Sequence, residues 1–300
     1  MSIVAYDIHG IEYGSNDLGE IRVQQLGRNI ERMLGVGSGE VERQMTGVVR
    51  SNPAGKFTTQ AIGTALGFVG VNGAVINTSN LLTLWRKAFK DGGTRQAAAS
   101  SLHDKIVIAD GLIVPDTLSA AHNSDAALSY NFWAADINGD GTSPITVTPL
   151  QALTGTTNHD EFYRLGPLTI NGTVIDNVQS VDIDFGHNII VNEGDGKIFP
   201  TGIAISQTLP TVRFTTFDAA IVALVGETGL AISASDVIIK LRKVNKNAAV
   251  SYTVGYQFTV NDGLVQLDDY SGSHAQQGLF SAQVIPAKEG SLDLLVGATF

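Results

Sequence analysis

Residues 168–217 read LTINGTVIDNVQSVDIDFGHNIIVNEGDGKIFPTGIAISQTLPTVRFTTF, and this block decides the fold. Apolar and polar residues alternate with period two, broken only by turn-forming Gly, Asn and Asp. Val181, Ile183 and Phe185 fall on one side of a strand, Ser180, Asp182 and Asp184 on the other. Successive side chains of a strand point to opposite faces, so one side is expected in a core and the other forms a wall bearing carboxylates.

The same period extends from Lys105 to the C-terminus. Strands are expected over 106–109, 127–134, 145–150, 168–175, 179–185, 198–206, 212–217, 237–244, 250–260, 264–267, 279–285 and 292–296. Turns such as Asn171-Gly172, Asp262-Gly263 and Gly194-Asp195-Gly196 separate them and supply the positive-φ residues that hairpins need. One Ala-rich segment, FDAAIVALVG (217–226), reads as a helix that Thr216 or Asp218 can cap. Short strands at this spacing predict a mainly β chain, an antiparallel sandwich or barrel with long hairpins and one short packed helix.

The first hundred residues read differently. Val23, Leu26, Ile30, Met33 and Leu34 recur at helical spacing between Gly19 and Gly35. Leu81, Leu82, Trp85, Ala88 and Phe89 do the same over 79–90, with Gly92-Gly93 as the stop. Charge changes at the same place: residues 1–104 sum to +1 and residues 105–300 to −11. The expectation is therefore a partly helical, Gly-rich region over 1–104, an arm or added domain, followed by a β-sandwich over 105–300. A change of texture within one domain would look the same.

Composition excludes several functions. Hydrophobic residues make up 43% of the 300, enough for a large core, while charged residues are only 16% against the usual share of about 25%. A mean hydropathy of +0.12 suits a surface partly covered by other copies. The net charge of −10 would repel nucleic acid. Without cysteine there is no disulfide, thiolate metal site or thiol nucleophile. Residues 1–8 lack the basic start and apolar run of a signal peptide, and no apolar run reaches membrane-spanning length.

The motifs that suggest chemistry fail on their spacing. Asp136, Asn138, Asp140 and Gly141 copy the start of a calcium loop, but the twelfth position is Val147 and strands flank the loop, so a hairpin tip is expected. Gly35, Gly37 and Gly39 lack the remainder of a phosphate-binding fingerprint. His9, His103, His122, His159, His187 and His274 stand apart from any metal-ligand spacing, and no G-x-S-x-G elbow occurs. The adjacent acids Asp160-Glu161 and Asp268-Asp269 suit solvated loops. The one basic cluster is Lys240, Arg242, Lys243 and Lys246, with Lys240 and Arg242 on one face of a strand.

The order of amphipathic strands, hairpin and helix in GPLTINGTVIDNVQSVDIDFG…FPTGIAISQTLPTVRFTTFDAAIVALVG resembles bacteriophage tail tube (major tail) proteins over residues 105–300. The resemblance implies a non-enzymatic virion subunit, made in the host cytoplasm and located in the tail. Such subunits close into hexameric rings that stack into a tube through which DNA passes on infection. Partners would be identical subunits, other tail proteins and, transiently, double-stranded DNA, with no cofactor, metal or membrane insertion. Asp182, Asp184, Glu193 and Asp195 become candidates for the lumen or an interface. Lys240, Arg242 and Lys243 become candidates for a basic interface patch. A tail terminator, baseplate ring or capsid decoration protein is the alternative, and a glycan-binding β-sandwich a more distant one.

Overall fold

Alternation builds this molecule from both ends. A computed structural model describes residues 6–19, 21–35, 45–88, 102–152, 161–194, 196–233, 236–245, 249–271, 278–287 and 294–300. Among them are 24 strands and two short helices, Ile62–Val69 and Ala220–Val225. The fold is mainly β and sandwich-like, and every strand pair is antiparallel.

The central layer is a ten-stranded sheet. Its order is Leu230–Ile232, Gly263–Ser271, Leu279–Pro286, Thr211–Thr216, Val178–Asp184, Gly111–Ala121, Ala127–Ala134, Ala54–Thr59 and Ile21–Gly27, with Ala74–Ile76 also pairing on Gly111–Ala121. A five-stranded sheet runs Thr173–Ile175, Glu161–Ile170, Val237–Asn245, Val250–Val260 and Leu295–Thr299. Apolar residues of both sheets share one core: Val181, Ile183, Phe185, Phe57 and Tyr130 from the large sheet, Leu168, Ile239, Leu241 and Phe258 from the smaller. Phe57 stacks on Tyr130 at 5.0 Å between ring centroids, and Phe185 meets Phe258 edge to face at 6.1 Å. A second five-stranded sheet, Ile145–Ala152, Leu102–Ile108, Leu82–Ala88, Tyr6–Tyr13 and Asn16–Asp17, contributes Ile11, Leu84 and Ile106 to the same core.

Two long hairpins share one plan. In the first, Ile21–Gly27 and Ala54–Thr59 pair in the large sheet, then the chain bends and continues as the separate ribbon Ile30–Gly35 with Met45–Ser51. In the second, Val178–Asp184 and Thr211–Thr216 pair in the sheet and continue as His187–Asn192 with Gly202–Thr208. Each bend has one residue with positive φ, Asn29 (44°) or Gly186 (61°), and a proline on the returning side, Pro53 or Pro210. At Gly186 a side chain has no room, because a Cβ would lie 1.9 Å from the Leu209 carbonyl oxygen.

The N-terminal helices expected over 19–35 and 79–90 are strands: Ile21–Gly27 and Ile30–Gly35 for the first, Leu82–Ala88 for the second. The spacing of Val23, Leu26, Ile30 and Met33 spans two strands that belong to different sheets, with Asn29 between them. Leu82, Thr83, Leu84 and Trp85 are all buried, so both faces are covered and alternation is lost. The helix that does occur there, Ile62–Val69, lies where no element was expected. Sheets also cross residue 104: Leu82–Ala88 pairs with Leu102–Ile108, and Ala54–Thr59 with Ala127–Ala134.

Candidate assembly surface

The strand Val178–Asp184 divides its residues as alternation predicts. Val181, Ile183 and the following Phe185 are fully buried, whereas Asp182 and Asp184 are exposed. Register supplies what the strand pattern alone did not. Asp182 lies between Ser119 and Arg213, and its Oδ1 accepts a hydrogen bond from Ser119 Oγ at 2.6 Å. Asp184 lies between Thr117 and Thr211, and its Oδ1 accepts from the Gly186 amide at 2.9 Å. The wall is thus a hydroxyl-rich surface on which Arg213 stands in register beside one of two carboxylates. Arg213 was not a candidate, although inward-pointing Val212 and Phe214 leave it on the outer face.

The two ribbons lie side by side. Arg50 of the first pairs with Glu193 of the second, Nη2 to Oε1 at 2.5 Å and Nε to Oε1 at 2.8 Å. The Ser51 amide donates to the Ile198 carbonyl at 2.7 Å. Glu193 therefore joins two hairpins within one chain. Asp195 lies outside the described residues. Among the described side chains of the ribbon strands only Ser51 is buried, and Val48, Val49 and Ile190 are each about half exposed. A cavity of about 250 Å³ at their base is lined by Ile30, Val48, Pro53, Ile145, Ile198 and Phe199, among others. Ion pairing across 143 residues leaves no local mark in the sequence, which is why Arg50 was not a candidate.

At the root of the second ribbon, His187 is fixed on both nitrogens. Nε2 is 2.9 Å from the Val71 carbonyl oxygen and so carries the proton, while Nδ1 accepts from Thr208 Oγ1 at 3.0 Å. Burial lowers its pKa, outweighing the Val71 hydrogen bond and the Asp184 charge that raise it.

The basic cluster does not form one patch. Lys240 stands over the Phe300 ring at 4.9 Å and shares the outer face of its strand with Arg242. Lys243 instead pairs with Glu161 Oε2 at 2.5 Å beside buried Tyr163. Glu161 Oε1 accepts from Tyr163 Oη at 2.9 Å and from Thr64 Oγ1 at 3.1 Å and N at 3.3 Å, so it caps the helix Ile62–Val69 from another strand. Burial by itself raises the Glu161 carboxyl, but the hydrogen bonds from Lys243, Tyr163 and Thr64 and the Lys243 charge outweigh it and hold the pKa down. Lys246 lies outside the described residues.

The loop resembling a calcium site is a stapled turn. Asp136 Oδ1 accepts from the Gly139 amide at 2.9 Å and Oδ2 from the Gly141 amide at 2.7 Å, so both carboxylate oxygens are engaged by backbone. Lys197 Nζ donates to the Gly139 carbonyl. Among the described residues no group of three His, Asp or Glu side chains could hold a metal, and no helix is long and apolar enough to cross a membrane. No protein-family model matches the chain, and no curated protein matches it in sequence.

Proposed function

We propose that the chain is a structural virion subunit that self-assembles into stacked rings forming a bacteriophage tail tube through which DNA passes. The observation that carries this reading is the pair of bent hairpins. Each leaves the large sheet as a two-stranded ribbon that joins no further described strand, with Val48, Val49 and Ile190 half exposed. An isolated two-stranded ribbon is marginal in water, and exposed strand edges with apolar residues invite pairing. Neighbouring copies that cover the ribbons remove both costs. Rings follow when such head-to-tail contacts close by rotation, and stacking continues them into a tube.

In this arrangement Asp182 and Asp184 face the lumen or a neighbouring subunit. Arg213 stands in register beside Asp182, and Asp184 lies beside Thr117 and Thr211. Phosphates passing such a hydroxyl- and carboxylate-lined surface find no cationic anchor beyond that arginine. The protein performs no chemical step; its work is to form a smooth conduit in the tail.

The test is to purify the chain and examine it by size exclusion and negative-stain microscopy over a range of concentrations. Rings with a central hole, or tubes, are expected. A single species of 31.6 kDa at every concentration overturns the proposal.

A further inference from the structure

We infer that the large sheet continues from one copy of the chain to the next. The outer edge of Ile21–Gly27 in one copy would pair with the outer edge of residues 266–271 in its neighbour. The inference rests on the self-assembly proposed above and names its contact.

Among the described strands, each edge lacks a hydrogen-bonded partner over part or all of its length. Among the described strands, Ile21–Gly27 hydrogen-bonds only to Ala54–Thr59. At the other end of the same sheet, Leu230–Ile232 covers Gly263–Ser271 only over 263–265. Beyond it a groove of about 550 Å³ separates 266–269 from the chain's own residues 226–229, and the neighbour's strand would seat in that groove. The stretches without a paired described strand are of similar length, seven residues and six.

Strand parity makes the two edges compatible. From Gly263–Ser271 to Ile21–Gly27 there are eight strands, each antiparallel to the next. An even number leaves the outermost two running in opposite directions. A copy rotated alongside, with its strands keeping their sense, therefore presents an antiparallel partner, the better-bonded geometry. An odd number would have forced a parallel joint.

Charge selects the same joint. Exposed Arg28 and Arg22, whose guanidinium also donates to Gln60 Oε1, flank one edge; exposed Asp268 and Asp269 lie on the other, with exposed Glu227 across the groove from them. Charges and bulges on edge strands commonly serve to prevent pairing, and both edges here are bulged, at 21–23 and 267–269. Protection alone would work best with the same sign at both ends. Opposite signs forbid only edge-to-like-edge pairing and favour head-to-tail contact, which closes as a ring or runs on as a filament.

The absence of cysteine allows a direct test. Gln25 and Gln266 are exposed on the outer face of their strands. The full chain is made as Gln25→Cys, as Gln266→Cys and as the double variant, each treated with a short bismaleimide under conditions where the unmodified chain assembles. Expected are cross-linked dimers from a mixture of the two single variants, little from either alone, and a ladder from the double variant. Adding Asp268→Arg and Asp269→Arg should lower the cross-linked fraction about tenfold, and Arg22→Asp with Arg28→Asp on the other partner should restore it. Self-dimers of one single variant as the main product, or an assembled double variant without a ladder, overturn the joint while leaving self-assembly standing. If the unmodified chain never assembles, the underlying reading fails instead. Circular dichroism of each variant separates lost contact from lost fold.

Discussion

Replacing Glu161 with Gln tests whether one carboxylate holds the end of the sandwich together. Its Oε2 meets Lys243 at 2.5 Å, and its Oε1 gathers Tyr163 and Thr64. Both charged side chains are mostly covered, at 26% and 17% exposed. Glutamine can keep one oxygen toward Tyr163 and Thr64, but its amide then turns N–H groups toward the Lys243 ammonium, donor against donor. A hydrogen bond to a charged group contributes about 1.5–3 kcal/mol, and the remaining exposure of Lys243 discounts this toward the lower half. The expected loss is about 2 kcal/mol at pH 7, read by urea unfolding. Because the folded carboxyl titrates below its ordinary value of 4.5, its contribution is fully present above that pH and is lost as pH falls through the folded pKa. The gap between the native chain and the variant must therefore narrow below pH 4.5. Lys243→Met in the Gln background should recover part of the loss, since the ammonium no longer faces a donor. A loss below about 0.5 kcal/mol, the scatter of surface substitutions, or a gap unchanged in acid would refute the reasoning.

Three further outcomes are expected. Gly186→Ala combines a φ of 61° with a Cβ 1.9 Å from the Leu209 carbonyl oxygen, so it should cost about 2–4 kcal/mol in chemical denaturation. His187 is held neutral, with a folded pKa below its ordinary 6.5. The native chain should lose stability relative to His187→Gln as pH falls below 6.5, with the difference levelling off under the folded pKa, measurable as a pair of melting curves at each pH. Asp182→Lys with Asp184→Lys should leave the circular dichroism spectrum and melting temperature within ordinary surface variation, about 0.5 kcal/mol, but impair DNA passage in a reconstituted particle. Loss of folding would make these carboxylates structural.

The legible part of this chain was the part with one wet face. Val181, Ile183, Phe185, Val212 and Phe214 could be assigned to the core because polar neighbours alternate with them. The short helix over 217–226 was legible too, and it occurs as Ala220–Val225, with the Ala220 amide donating to Asp218 Oδ1 at 2.9 Å. Where both faces are covered, as at Leu82–Trp85, an apolar run carries no period, and helix and strand look alike. The helix Ile62–Val69 was hidden by its glycines, and Gly63 is there for a reason outside the segment: a Cβ would lie 2.2 Å from Tyr163 Oη. Candidate surface residues divided in the same way. Asp182 and Asp184 followed from alternation, whereas the partners of Glu193 and Lys243 come from strands 143 and 82 residues away.

Those separations set an order in time. Ala54–Thr59 cannot find its second partner strand until Ala127–Ala134 has been made; Thr58 and Ser129, hydrogen-bonded at 3.2 Å, are 71 residues apart. The ribbon that ends at Ser51 waits longer, because Glu193 and Ile198 tie it to the second ribbon, and Glu193 is made 143 residues after Arg50. Long-range pairing of this kind is slow to form and leaves strand edges unpartnered meanwhile. A growing chain on the ribosome thus holds its first hairpin without the contacts that seat it. The joined ribbons are available only to a chain most of whose length has already been translated.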